Sequence, residues 1–579
     1  MLRALRSLNK PASHLKRFLS SPAIIILGCT AAVFYLAGVP ILMLLFGSLR
    51  SAPIGEPGAV FTLNNYTSAY GDIEFYVLFW NSLKYAAGTS VFTLAIGTYL
   101  AWISERTNTP FRKAFVVMAL VPYLIPGIVD TIAWILLLSP KIGLVNLTLM
   151  QLLGLSSPPF NIYSIAGMIW VEAIHDYPIV FLLMSAGFRS TDPSLEEASM
   201  VAGSGIWTTF KRITLPVLRP AMLSVLLLMF VRGIEAFEVP ALVGSPAGIY
   251  LFTTKIYFAI TGFPSDLGLA GTYAVSVMIV SVIGIVLYQK ATKSGERYVT
   301  ITGRGYRPRV LDLGAWRWVT LSTSLAIFFT AVVLPLVVLL WASLVPFYAV
   351  PSREMLAKMS FDNYLFVINY PRALAAFKNS MLLSIGTATF TMLLTSVIAW
   401  ITVRSEVRGR GVLESVTFLP ITIPGIVLGV SLIWVYLMLP VPVYGTLWIL
   451  LIAYVTRNLP YGIRAATGSM VQISKELEEA SHISGASWIQ TFGRVVIPLL
   501  LPGFMAGWIY ISIVSLRELS TSILLYSHDS IVMSILAFDL WDGGQYQYVA
   551  ALGILMVLIM TGMATVARLF GARFGIAQR

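Results

Sequence analysis

The sequence predicts an all-α membrane protein with twelve transmembrane helices, arranged as two parallel-repeat six-helix halves. Three observations lead there. Hydrophobic residues make up 57% of the 579 residues and charged ones only 11%, with mean hydropathy +0.82, whereas soluble domains carry about a quarter charged residues. Twelve apolar stretches recur, near 22–48, 83–103, 114–138, 162–188, 217–243, 268–289, 316–344, 379–403, 412–438, 446–470, 500–526 and 546–567. Each is long enough for the roughly 20 helical residues that cross a bilayer. Third, the second six stretches repeat the first six in sequence.

The repeat is read residue by residue. WNSLKYAAGTSVFTLAIGTYLAWISER (80–106) aligns with KNSMLLSIGTATFTMLLTSVIAWITVR (378–404), and LVPYLIPGIV (120–129) with FLPITIPGIV (418–427), both at an offset of 298. Beyond that the offset is 282, where EEASMVAGSGIWTTFKRITLPVLRP (196–220) meets EEASHISGASWIQTFGRVVIPLLLP (478–502). The first half therefore holds 16 extra residues around an outer loop, 139–161. The division is 1–289 for the first half, 290–315 for a basic linker and 316–579 for the second half. Parallel repeats of this kind place a transport path at their interface.

Orientation follows from charge. Lysine and arginine number 39 against 26 acidic residues, a net +13. Most fall in one alternate set of loops, the linker and both terminal segments, which makes that side and both termini cytoplasmic. The basic excess is thus a topology signal, and nucleic acid is not expected as a partner. The first stretch follows a basic segment, as in a signal peptide, but is too long for one and lacks an A-x-A-like cleavage site, so it is expected to remain as a helix. A single cysteine, Cys29, excludes an intrachain disulfide and cysteine-based metal sites. The longer outer loops, 49–82 and 345–378, contain LNNY and FDNY and predict a short surface helix ahead of each N-S dipeptide. Pro122 and Pro126, with Pro420 and Pro424, predict bends in the third helix of each half. Such bends serve either gating or fixed curvature for packing.

Between the fourth and fifth spans each half repeats one pattern. Glu197-Ala198-Ser199, three residues, Gly203, nine residues and Ile213-Thr214-Leu215-Pro216 is matched by Glu479-Ala480-Ser481, Gly485 and Val495-Val496-Ile497-Pro498. Asp192 and Ser474 fit N-caps, Pro193 fits the first helical position, and Glu196, Glu197 and Glu476 suit the opening turns. A short helix ended by each glycine follows.

This pattern, twice and at equivalent places, resembles the transmembrane subunits of binding-protein-dependent ABC importers, whose motif is E-A-A, three residues, G, nine residues, I-x-L-P. Serine replaces the second alanine in both copies. The resemblance implies a type I-like importer fold in which Glu197, Ala198, Ser199, Gly203, Glu479, Ala480, Ser481 and Gly485 form coupling helices docked on ATPase subunits. No lysine follows a glycine, so no P-loop exists in the chain. The chain is then not itself an enzyme. ATP and Mg would be held by a homodimer of ATPase subunits at the cytoplasmic face, and no cofactor by this chain. A periplasmic binding protein would deliver substrate, with lipid around the spans of an inner-membrane protein.

Fused permeases of this size resemble iron(III) permeases most, and Tyr298 to Tyr306 of the linker is similar to their junction. Thiamine and 2-aminoethylphosphonate permeases are also fused duplications and stay open as alternatives. Charges within spans usually face a partner or an aqueous path. Glu172, His175, Asp176, Glu235 and Glu238 in the first half, and Arg457, Arg517 and Glu518 in the second, are candidates for lining it. An acidic wall suits hard ferric iron, and the arginines suit an anion or a phosphonate. Internal salt bridging, Glu235 with Arg517 for instance, is the alternative. No confident metal site is read, His175 equally fits a satisfied buried histidine, and His482 is assigned to the docking surface. An ion-coupled secondary carrier is the competing class, with Asp130, Glu172 and Glu235 as midplane carboxylates. It would have no use for twin docking helices. No H-E-x-x-H or G-x-S-x-G motif supports a membrane enzyme.

Overall fold

A computed structural model describes residues 21–52, 58–192, 194–296, 310–405, 409–439 and 441–573. The linker segment Tyr298 to Tyr306, Pro193 and His14 lie outside the described residues, as does the side chain of His482. In chain order the helices are α1 (Ile26–Ser48), α2 (Asn64–Gly71), α3 (Ile73–Arg106), α4 (Arg112–Leu124), α5 (Gly127–Leu138), α6 (Leu144–Leu153) and α7 (Ile165–Ser190). Then follow α8 (Ser194–Val201), α9 (Ile206–Glu235), α10 (Phe252–Thr261), α11 (Leu267–Glu296), α12 (Trp316–Leu344) and α13 (Asp362–Asn369). The remainder are α14 (Pro371–Arg404), α15 (Arg410–Thr422), α16 (Gly425–Met438), α17 (Leu447–Gln472), α18 (Lys475–Ile483), α19 (Phe492–Leu516), α20 (Met533–Asp542) and α21 (Tyr546–Arg573).

Among the described residues nine helices are long and apolar enough to cross a membrane, or up to 11 if each of two bent pairs counts as one span. The expectation was twelve. The remaining stretch, α17, is one continuous helix whose apolar character is diluted by Arg457, Asn458 and Arg464.

Three expectations about spans change. The proline-bearing third helices are broken outright, by 92° between α4 and α5 and by 109° between α15 and α16. The residue before a proline is driven out of the helical region, and Ile125 (φ −84°, ψ 123°) and Ile423 (φ −104°, ψ 108°) are extended. The long helices of the expected spans 217–243 and 500–526 end early, at Glu235 and Leu516, and the chain continues buried in short helical turns, Pro240–Gly244 and Ser522–Leu524. They also begin early. A wide turn at Phe210–Thr214, and another at Phe492–Val496, places Pro216 and Pro498 at the start of a fresh helical stretch where no amide donor is needed. The 16-residue excess forms α6. Asn146, fully buried on it, donates to the carbonyls of Leu138, Ser139 and Phe160 (3.0, 3.1 and 2.9 Å) and accepts from the Phe160 amide (3.0 Å).

Packing divides the chain into two compact units that exchange helices relative to the repeat. One comprises residues 1–47, 377–530 and 562–579, the other 48–376 and 531–561. In the first, α1 packs on the second repeat, with Val33 in one cluster with Ile398, Ala399, Ile401, Leu413, Ile463 and Ala466. Tyr35 and Tyr436 share a hydroxyl hydrogen bond of 2.7 Å. In the second, α12 packs against α4 and α5 of the first repeat, and Tyr348 donates to the Leu136 carbonyl at 2.5 Å.

The surface helices expected from LNNY and FDNY are α2 and α13, and their Asn-Tyr pairs do the same work. Asn65 donates to the carbonyls of Ser48 and Arg50 (2.9 and 2.8 Å), and Asn363 to those of Ser343 and Val345 (2.9 and 2.8 Å). Tyr66 and Tyr364 bond the hydroxyls of Ser48 and Ser343, each at 2.7 Å. The preceding span therefore has its last carbonyls satisfied. Past the linker, Leu311 bridges to Thr107, and the Gly314 amide together with the Asn108 side chain holds the Asp312 carboxyl below the usual carboxylate range.

Asn146→Ala removes three donated bonds and one accepted one. The expected loss is on the order of 1–3 kcal/mol, measured as new protease sensitivity confined to 139–161.

Candidate functional site

Two groups of residues stand out, one at the helix breaks and one at the short helices α8 and α18. The breaks come first because a backbone interrupted inside hydrocarbon leaves polar groups that need partners, at several kcal/mol each if unmet.

In the unit holding the first repeat, α7 supplies Glu172, His175 and Asp176, spaced so that they share one face. Asp176, 1% exposed, takes a two-pronged bond from Arg232 on α9, 3.0 and 3.1 Å. Tyr85 donates to Glu172 at 2.8 Å. The His175 Nδ1 lies 3.3 Å from Asp130, which is buried in the first turn of α5 where the helix dipole favours a carboxylate. Glu238 lies against the very start of α5: a Cβ on Gly127 would fall 2.0 Å from its Oε2. Glu235 is half-buried at the end of α9.

The unit holding the second repeat builds the same place with opposite charge. Arg457, aligned with His175, donates to Glu518 Oε1 at 2.9 Å and to Thr521 Oγ1 at 3.0 Å. Glu518 also accepts from the Thr521 amide at 3.0 Å. A Cβ on Gly425, first residue of α16, would meet the Arg457 guanidinium at 1.8 Å. Arg517 is half-buried at the C-terminal cap of α19. The structure thus gathers Glu172, His175, Asp176 and Glu238 at one break, and Arg457 with Glu518 at the other. Asp176–Arg232 and Arg457–Glu518 are ion pairs, each formed within one unit. Among the described residues no three His, Cys, Asp or Glu groups converge with metal-holding geometry.

The second group repeats with little change. Asp192 accepts from the Ser194 amide (2.9 Å) and Ser474 from the Glu476 amide (3.3 Å). Gly203 (φ +85°) and Gly485 (φ +83°) close the helices in the left-handed conformation. Ser199 and Ser481, where the motif has alanine, bond Thr209 and Thr491, each at 2.9 Å. That clasp is the physical use of the departure. Ala198, Ala480 and Glu479 are exposed and Glu197 is half-buried. Leu195 and Val201 are exposed to 50% and 90%, and their counterparts Leu477 and Ile483 to 47% and 88%.

Sequence reading passed over Tyr85, Thr521, Arg106, Arg404 and the Ser–Thr clasps. The repeat alignment carried a signal for most of them, since Arg106/Arg404, Glu196/Glu478, Ser199/Ser481 and Thr209/Thr491 are identical between copies.

Gly127→Ala and Gly425→Ala should each lower stability by about 1–3 kcal/mol through overpacking, read as a thermal midpoint in detergent. Gly468→Ala, where a Cβ meets open space, should leave that midpoint unchanged.

The family described as the inner membrane component of binding-protein-dependent transport systems matches residues 93–291 and again 392–576. The ferric transport system permease protein FbpB of Actinobacillus pleuropneumoniae is 27% identical, over 82% of this chain and 67% of its own. The Fe(3+)-transport system permease protein FbpB 2 of Haemophilus influenzae is 23% identical, over 83% of this chain and 87% of its own. A chain of a bacterial ABC transporter that imports alginate aligns with a TM-score of 0.36 and 18% identity, over 52% of this chain and 97% of that one. Matched in both repeats, over more than half its length, this chain belongs to the family of inner membrane components of binding-protein-dependent transport systems.

Proposed function

We propose that the chain is the translocation pathway of an ATP-driven importer that receives iron(III) from a periplasmic binding protein. Both termini and the short helices α8 and α18 lie on the cytoplasmic side in this reading. ATP is hydrolysed by separate ATPase subunits, one docked on each short helix, and a homodimer suits two arms built alike. The observation that carries the reading is their duplicated docking surface: a small Ala face between two exposed apolar residues, Leu195 and Val201 in one arm, Leu477 and Ile483 in the other. An apolar side chain about nine-tenths exposed at the tip of a clasped, glycine-closed helix is placed to enter a pocket on a partner.

Iron(III) as cargo is supported by the names of the relatives and by the carboxylates gathered at the first break. Glu172, His175, Asp176, Glu235, Glu238, Arg457, Arg517 and Glu518 are the proposed lining of the path. A hard cation moves along oxygen ligands that hold it only weakly, and fixed carboxylates partly neutralised by Arg232 offer that.

Val201→Asp with Ile483→Asp should reduce co-purified ATPase subunits about tenfold or more while the permease accumulates normally. Proteoliposomes carrying the whole assembly should then take up radiolabelled ferric iron only with ATP and loaded binding protein. Uptake driven by an ion gradient alone, or an ATP-dependent preference for thiamine or 2-aminoethylphosphonate, would overturn the respective part of the proposal.

A further inference from the structure

Each short helix follows its preceding span after only a few residues, and the junction is extended backbone: Thr191 at φ −92°, ψ 141° and Ile473 at φ −83°, ψ 128°. Such a junction absorbs movement instead of passing it on. A second connection exists, and it is the same in both repeats.

Arg106, last residue of α3 and 4% exposed, donates to the carbonyls of Phe188 (2.8 Å) and Thr191 (3.0 Å) at the end of α7. It also bonds the Thr191 hydroxyl at 2.7 Å, and its Nε faces Glu196 on α8 at 3.7 Å. Glu196 in turn accepts from Thr214 at 2.7 Å, at the entry to α9. In the other unit Arg404, last residue of α14, donates to the carbonyls of Met470 (3.1 Å) and Ile473 at the end of α17. Its Nε lies 3.0 Å from Glu478 on α18, whose other oxygen accepts from Trp400 at 3.1 Å. One guanidinium, buried at Arg106 and half-buried at Arg404, therefore joins the second span, the fourth span and the short helix of each repeat. The glutamates concerned immediately precede Glu197 and Glu479 and face inward.

We propose that Arg106–Glu196 and Arg404–Glu478 are the joints through which a displacement of the docking helices reaches the spans. The inference rests on the importer reading above, and these four are positioning residues that do not touch the cargo. A buried ion pair is suited to the task because separating it leaves an uncompensated charge, and carbonyl caps fix the guanidinium to the span ends. The two joints are unequal. Glu478 accepts from Trp400 and Glu196 from Thr214, and the Arg404–Glu478 ion pair, at 3.0 Å, is closer than Arg106–Glu196 at 3.7 Å. The closer pair carries the larger share of the coupling in this proposal.

Permease co-expressed with its ATPase subunits and reconstituted with loaded binding protein provides the test, read as ferric iron moved per ATP hydrolysed. Glu196→Gln with Glu478→Gln should keep ATPase subunits at the wild-type ratio and keep hydrolysis, while iron per ATP falls by about tenfold. Glu478→Gln alone should cost more than Glu196→Gln alone. Arg404→Lys, which keeps the charge but loses the planar fork, should lower the same ratio and serves if the glutamine variants fail to accumulate. A ratio within about twofold of wild type in the double variant, or a series whose sole effect is less assembled complex, would overturn the inference. Failure of the wild-type chain to retain ATPase subunits would instead overturn the importer reading itself.

Discussion

The structure depends on one constraint: a helix may be broken inside a membrane only where other protein groups replace the hydrogen bonds it gives up. Both third spans are broken at Pro-Gly, and around each break the chain assembles the charges that would otherwise be too costly to bury. Asp130 and Glu238 sit at the exposed amide end of α5, a place the helix dipole makes favourable for anions. At α16 the guanidinium of Arg457 occupies the corresponding spot, against the dipole, and Glu518 compensates it. The breaks therefore bring local polar structure with them, and that polar structure is the candidate path.

The same logic extends to the ends of the spans. Carbonyls freed where helices stop are taken up by side chains rather than left to the bilayer: by Asn65 and Asn363 on one side of the bundle, by Arg106 and Arg404 near the docking helices. The arginines do this while also holding a glutamate of the adjoining short helix. Satisfying the helix end and holding the adjoining short helix are thus done by one side chain in each repeat. Exchange of α1 and α12 between the packing units adds to this, because each repeat's bundle is completed by a helix from the other.

Duplication followed by divergence accounts for the contrast between the two breaks. Where the repeats kept residue identity, as in the Asn-Tyr clamps and the Ser–Thr clasps, the hydrogen-bond pattern and distances nearly coincide. Where they diverged, at Glu172/Tyr454, His175/Arg457 and Asp176/Asn458, the backbone plan stayed while two carboxylates gave way to neutral groups and a histidine to an arginine. The architecture and the short helices were held twice, while the charged residues at the breaks became asymmetric.

The sequence by itself determined the helical membrane class, the duplication, the short helices α2, α8, α13 and α18 and the glycines that close two of them. These depend on local periodicity, capping and the two-copy comparison, all of which act within a few residues. Sequence also located the charged residues of α7, α17 and the segments after α9 and α19, because charge in an apolar run is conspicuous whatever it touches. Tertiary structure alone decided that the proline sites are breaks of about a right angle instead of bends, since that depends on Glu238 or Arg457 arriving at the exposed helix end. It also decided which partners the charges take. Asp176 meets Arg232 and Glu518 meets Arg457. Ion pairing is settled by side-chain reach across packed helices, a distance that one-dimensional spacing does not contain.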